Sequence, residues 1–246
     1  MNAILYTGSI VFLAASLAGF IQTTAGFASG IIMMLFFPLV YPMIDAVSLS
    51  TLLCALCAAV MGFRYRKFAD YKQVLLPLPF YLIPCYFAVN WSKSIDVALL
   101  KIIFGGILIA AACYFAFFSD RIKLRAGLIP ACICGATSGT INGLLSVGGP
   151  PMAIYYMAAC EEDKNKYLAN SQMFFLVTYI YSFALRAAKG FVSASMSGSF
   201  LVGAAGIVLG FLAGKRLQDK FDIKKMKQLI YLVLAFCGIV TIAGNI

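Results

Sequence analysis

Apolar runs of membrane-spanning length recur from one end of this chain to the other, and nothing constrains its fold more. A helix rises about 1.5 Å per residue, so about 20 apolar residues cover the hydrocarbon core of a bilayer. Ten apolar segments can be read, at about residues 3–22, 26–41, 45–63, 74–91, 97–118, 127–145, 147–160, 168–188, 194–217 and 225–244. Strands of a membrane barrel would alternate polar and apolar residues, and no such alternation is present. With 63% hydrophobic and 11% charged residues over 246 positions, the chain cannot cover a soluble domain with polar surface. The fold class expected is an all-α polytopic membrane protein, with the lipid bilayer as its first partner.

Charge then sets topology. The net charge of +10 is not gathered into one patch, so nucleic acid is not expected as a partner. It lies in short clusters between apolar runs, as loops that obey the positive-inside rule require. Arg64, Arg66, Lys67 and Lys72 form one cluster, and Arg121, Lys123 and Arg125 another. A third is Lys215, Arg216, Lys220, Lys224, Lys225 and Lys227, with Lys164 and Lys166 as a fourth. With these loops in the cytoplasm and both termini outside, fifteen basic residues face inward; only Lys93, Lys101, Arg186 and Lys189 remain for the other side. The location expected is the plasma membrane, in a bacterium the inner membrane, crossed several times with basic loops cytoplasmic. The first run has no Lys or Arg before it, so it reads as a retained membrane segment and not a cleaved signal.

Catalytic chemistry has little to stand on. The chain contains no His, which removes the commonest general base and metal ligand. Its eight Cys fall mostly inside apolar runs, and Cys54-x-x-Cys57 has no polar neighbours or βαβ context, so packing is the better reading. No catalytic residue, metal site or cofactor is expected.

The second and seventh segments are too short to span comfortably, and a Gly-rich stretch ties each to its predecessor. Residues 3–41 and 127–160 thus read as helix pairs, re-entrant or fully spanning. The halves match at an offset of 120: Gly19 falls on Gly139, Gln22 on Asn142, Gly26 on Ser146, Ser29 on Gly149, Ser50-Thr51 on Asn170-Ser171 and Arg66 on Arg186. Each half holds a same-side pair followed by three crossings, and an odd number of crossings inverts the second half relative to the first. Two inverted-topology repeats are expected, at 1–120 and 121–246, within one membrane domain.

Paired interrupted helices in corresponding positions point to a transporter's substrate site. Gly19–Gly30 and Gly139–Pro151 are such a pair. Gly permits unusual dihedrals, and Pro150-Pro151 favours a helix start, so two short helices would aim their N-termini at the interior. Free N–H groups and a positive dipole end attract an anion there. The candidate substrate-binding residues are Gln22, Thr23, Thr24, Gly26, Ser29, Gly30, Thr51, Asn142, Ser146, Gly148, Gly149, Pro150, Asn170 and Ser171. All nine acidic residues fall at segment ends or in loops, which suits a small anionic substrate. By contrast, Gly135, Gly139 and Gly143, like Gly206, Gly210 and Gly214, read as helix-packing stripes. Arg186 and Lys189 read as interfacial side chains that snorkel, with the drawing of anions to the mouth as the lesser alternative.

The stretch Gly143-Leu-Leu-Ser-Val-Gly-Gly-Pro-Pro-Met, after a Gly-rich helix, resembles the hallmark of the TauE/SafE family of sulfite and organosulfonate exporters. The first-half counterpart, Ala25-Gly26-Phe27-Ala28-Ser29-Gly30, is poorer in Gly than is usual for that family. The resemblance implies a permease for sulfite, an organosulfonate or a related oxyanion or carboxylate. The rival reading is a non-transporting membrane scaffold or assembly factor. Self-association is left open.

Overall fold

The first nine apolar runs become helices, and the breaks between them fall at residues that interrupt helical hydrogen bonding. The computed structural model describes residues 2–113, 127–161, 163–193 and 196–218. In chain order the helices are α1 (Asn2–Ala25), α2 (Ser29–Phe36), α3 (Met43–Tyr65), α4 (Tyr71–Leu75), α5 (Leu78–Trp91), α6 (Val97–Cys113), α7 (Leu128–Leu145), α8 (Gly149–Ala159), α9 (Lys164–Ala188) and α10 (Met196–Gln218). No strand occurs among the described residues. The run expected at 225–244, and the basic residues Arg121, Lys123, Arg125, Lys220, Lys224, Lys225 and Lys227, lie outside them.

Among the described residues, six stretches are long and apolar enough to cross a bilayer: Leu5–Ala25, Met43–Phe68, Tyr71–Trp91, Leu128–Leu145, Lys164–Ala188 and Met196–Leu217. Their outward residues, such as Leu13, Ile83, Ile133, Ile180 and Leu209, are exposed aliphatic side chains suited to lipid. By contrast, α2 and α8 have only 8 and 11 residues. Two starts differ from the apolar pattern because a polar cap sets them. Asp163 accepts the N–H groups of Asn165 and Lys166, so α9 begins at Lys164, ahead of the apolar run expected from 168. Asp70 caps Lys72 and Gln73 in the same way and starts α4, which stops before Pro77. The single run expected at 74–91 is therefore two helices in line.

Glycine stripes set which helices touch. The principal pairs are α1 with α10, α5 with α7 and α3 with α9. Along the first, a Cβ on Gly206 would meet the Phe12 carbonyl at 2.6 Å, and one on Gly210 the Ser16 carbonyl at 2.0 Å. On α7, a Cβ at Gly135 would meet Pro77 and Phe80, one at Gly139 would meet Tyr81, and one at Gly143 would meet Cys85 and Ala88. In these two pairs residue numbers rise together, so α1 runs parallel to α10 and α5 to α7, whereas α3 and α9 run antiparallel, Gly62 lying by Gln172 and Leu49 by Phe183. Backbones this close gain dispersion contact that a larger residue would forfeit.

The ends of the bundle differ in charge. Lys166 Nζ lies 4.0 Å from Asp70 Oδ2, Asn170 Oδ1 accepts the Asp70 N–H, and Arg64 shares a cleft with Lys215. The basic residues that close α3, open α4 and α9 and close α10 thus share one end. At the other end the Lys93 ammonium sits 4.5 Å over the Phe191 ring.

Candidate substrate site at two helix breaks

At the first break α1 gives way to α2 through residues in the left-handed region. Gly26 has φ +83°, and its N–H donates to the Gln22 carbonyl at 2.9 Å, a common way to close a helix. Ala28 also has φ 85°, where a Cβ costs about 1–2 kcal/mol. The carbonyls released by the break are taken up by α9. The Tyr167 hydroxyl donates to Ala25 at 3.2 Å, and Gln172 Nε2 donates to Gly26. Gln22 completes the latch: its Oε1 accepts the Ser29 N–H at 3.2 Å, and its Nε2 donates to Gln172 Oε1 at 2.9 Å.

The second break has the same outline and a different polar inventory. Ser146 has φ 58° and donates its N–H to the Asn142 carbonyl at 2.9 Å. Its hydroxyl lies 3.0 Å from that of Thr51. The Ser138 hydroxyl donates to the Gly148 carbonyl. α8 opens on Gly149-Pro150-Pro151, and the two prolines carry no N–H, so its start has fewer free donors than an ordinary helix. Asn142, the position equivalent to Gln22, is 0% exposed, and neither its Nδ2 nor its Oδ1 has a partner. A buried polar group left unbonded costs about 1–3 kcal/mol, and this amide leaves both its donor and its acceptor unused.

The two breaks meet. A Cβ on Gly30 would fall 2.0 Å from the Ser146 carbonyl oxygen, and one on Gly149 would fall 3.1 Å from the Phe27 ring. Only glycine allows the first approach. Ser29 Oγ lies 3.2 Å from the Sγ of Cys54, the middle residue of α3, which puts the meeting point near half depth.

Gln22, Gly26, Ser29, Gly30, Thr51, Asn142, Ser146, Gly148, Gly149 and Pro150 are all buried at or beside these breaks. Thr23, Thr24 and Ser171 are buried too, but their hydroxyls bond carbonyls of their own helices, Gly19, Phe20 and Leu168. Asn170 turns elsewhere: it accepts the Asp70 N–H at 2.7 Å and donates to Gln73 Oε1 at 2.9 Å, tying α9 to α4.

Gln172 and Tyr167 touch the first break although the sequence did not single them out. The 120-residue offset pairs Gln172 with Leu52, so the repeat carried no hint of it; a polar residue inside a span was the available signal. Arg186 differs from expectation outright. It does not snorkel: it is 1% exposed and donates to the Gly143 carbonyl in the last turn of α7. A helix C-terminus with free carbonyls is a better site for this guanidinium than the interface.

Membrane-length helices around two broken ones define a polytopic helical integral membrane protein. The chain belongs to the sulfite exporter TauE/SafE family, a transporter family, whose sequence model matches residues 11–241. No curated protein and no solved structure is significantly similar to it.

Proposed function

We propose that this protein is a secondary transporter of a small anion such as sulfite, an organosulfonate or a related oxyanion or carboxylate, held between the two helix breaks. The observation that carries the reading is Asn142: an amide with no exposed surface and no partner, where two broken helices meet near mid-depth. The neighbouring hydroxyls of Ser29, Thr51 and Ser146 are neutral groups able to donate hydrogen bonds to an anion. The described acidic residues, Asp45, Asp70, Asp96, Glu161 and Asp163, all keep exposed surface at helix ends, so none repels an anion from the centre.

Residues 1–120 and 121–246 act as inverted repeats in this account. The main helix contacts support it, because exchanging the halves maps them onto one another. The pairing of α1 with α10 maps onto that of α7 with α5, α1 with α2 maps onto α7 with α8, and α3 with α9 maps onto itself. Rocking of one repeat against the other would expose the breaks alternately to each side. The basic end of the bundle faces the cytoplasm of the bacterial inner membrane.

A scaffold reading is weakened because both glycine stripes are used up in contacts within the chain. The test is thermal stability of purified protein across an anion panel, together with proteoliposome flux for wild type, Asn142→Ala and Gly149→Leu. Anion-dependent stabilisation in wild type, with flux cut at least about tenfold in both variants, is expected. No stabilisation by any anion, or wild-type flux in both variants, contradicts the assignment.

A further inference from the structure

Arg186 carries a charge that no described side chain balances. It is the largest of the fully buried side chains, near the end of α9. Its Nη2 donates to the Gly143 carbonyl, and its Nε has no partner. On α5, the Cys85 thiol lies among this guanidinium, the Tyr81 hydroxyl and the Ser182 hydroxyl. Both hydroxyls are buried beside the Cys85 thiol, Tyr81 also beside the Thr178 hydroxyl, and neither makes a hydrogen bond of ordinary geometry. Three unused donors thus gather around one small side chain, beside the helix whose next residue from Gly143 is the unpartnered Asn142.

Buried guanidinium groups ordinarily come with a carboxylate, because an uncompensated charge in a dry interior is costly. The fold does not demand the burial. The equivalent residue of the first half, Arg66, is exposed, with its guanidinium 3.8 Å over the Phe63 ring. At two matched positions, Arg66 with Arg186 and Gln22 with Asn142, the second-half residue is thus the one with buried polar atoms left without partners.

We infer that Arg186, with Tyr81 and Ser182, forms the charged part of the substrate site and selects a monovalent oxyanion over a divalent one. The inference rests on the transporter reading and specifies the charge of what that site accepts. A guanidinium offers forked N–H donors that fit two oxygens of a sulfonate, bisulfite or carboxylate. One cation neutralises one negative charge. A dianion would bring a second charge into an interior where no other described cation answers it, and desolvation would oppose its entry.

Methanesulfonate and sulfate make the discriminating pair, being sulfur oxyanions of similar shape and different charge; acetate extends the monovalent arm. Half-saturating concentrations are measured in proteoliposomes for wild type, Arg186→Lys and Arg186→Gln. Glutamine keeps an N–H for the Gly143 carbonyl and loses the charge. Wild type is expected to be half-saturated by at least one monoanion at a concentration at least about tenfold below that for sulfate. Arg186→Gln should raise the monoanion value at least about tenfold and erase the preference, with Arg186→Lys between the two. A preference that survives in Arg186→Gln overturns the inference and leaves the transporter reading standing. A wild type that moves none of the three anions overturns both. Should Arg186→Gln not fold, Ser182→Ala decides, since it leaves the Gly143 contact intact: a rise of about threefold or more supports the inference, and an unchanged value overturns it.

Discussion

At the scale of single residues, glycine and its one replacement decide how well the breaks fit. Ala28 holds φ 85°, a conformation that glycine adopts without steric cost. Ala28→Gly should therefore raise stability by about 0.5–1 kcal/mol, the relief of the Cβ less the greater freedom of glycine in the unfolded chain. Gly30→Ala should do the opposite. Its Cβ would sit 2.0 Å from the backbone carbonyl of Ser146, and neither backbone can move without separating the breaks. A loss of about 1–3 kcal/mol, the usual penalty of overpacking, is expected. Gly8→Ala, where nothing lies within 4 Å, should change stability little. Melting temperatures in one detergent check all three, and a Gly30→Ala protein as stable as wild type would refute the contact between the breaks.

At the scale of elements, Gln172 joins three pieces: the end of α1, the start of α2 through Gln22, and α9. Gln172→Met keeps the volume and strips the hydrogen bonds, leaving the Gly26 carbonyl and one donor of the Gln22 amide unpaired. A destabilisation of about 1–3 kcal/mol should follow, larger than that of Thr178→Val, which removes only a hydroxyl bonded to its own helix. Equal melting temperatures for the two variants would mean the latch contributes nothing. Gln172 also shows why part of the site was not legible beforehand. Most helix limits were readable because run length and Pro150-Pro151 are local signals, whereas the starts set by the Asp70 and Asp163 caps fell outside a reading of apolar runs. Which way a side chain turns depends on helix register. In a soluble protein amphipathicity reports that register, whereas here lipid-facing and core-facing surfaces are both apolar. Thus Gly26 and Pro150 announced the breaks, while the turn of Asn170 toward α4 and the burial of Arg186 did not show.

At the scale of the whole molecule, the proposed function is that of a carrier, in which the breaks are reached from one side at a time. Asn142, Ser146 and Thr51 have no exposed surface, and Ser29 has almost none, so the meeting point is sealed from both ends in this conformation. A closed centre between the two helix pairs is what the proposed rocking of repeats would pass through. Counterflow in proteoliposomes tests this most directly. Vesicles are loaded with unlabelled methanesulfonate, acetate or sulfite, diluted, and given a trace of the same anion in labelled form outside. For at least one of these anions a transient accumulation of label above equilibrium is expected, lost in Asn142→Ala, because unlabelled anion inside competes with the label for the inward-facing site and holds back its exit. Label that only drifts to equilibrium, or does not enter with any of the three anions, would contradict a carrier.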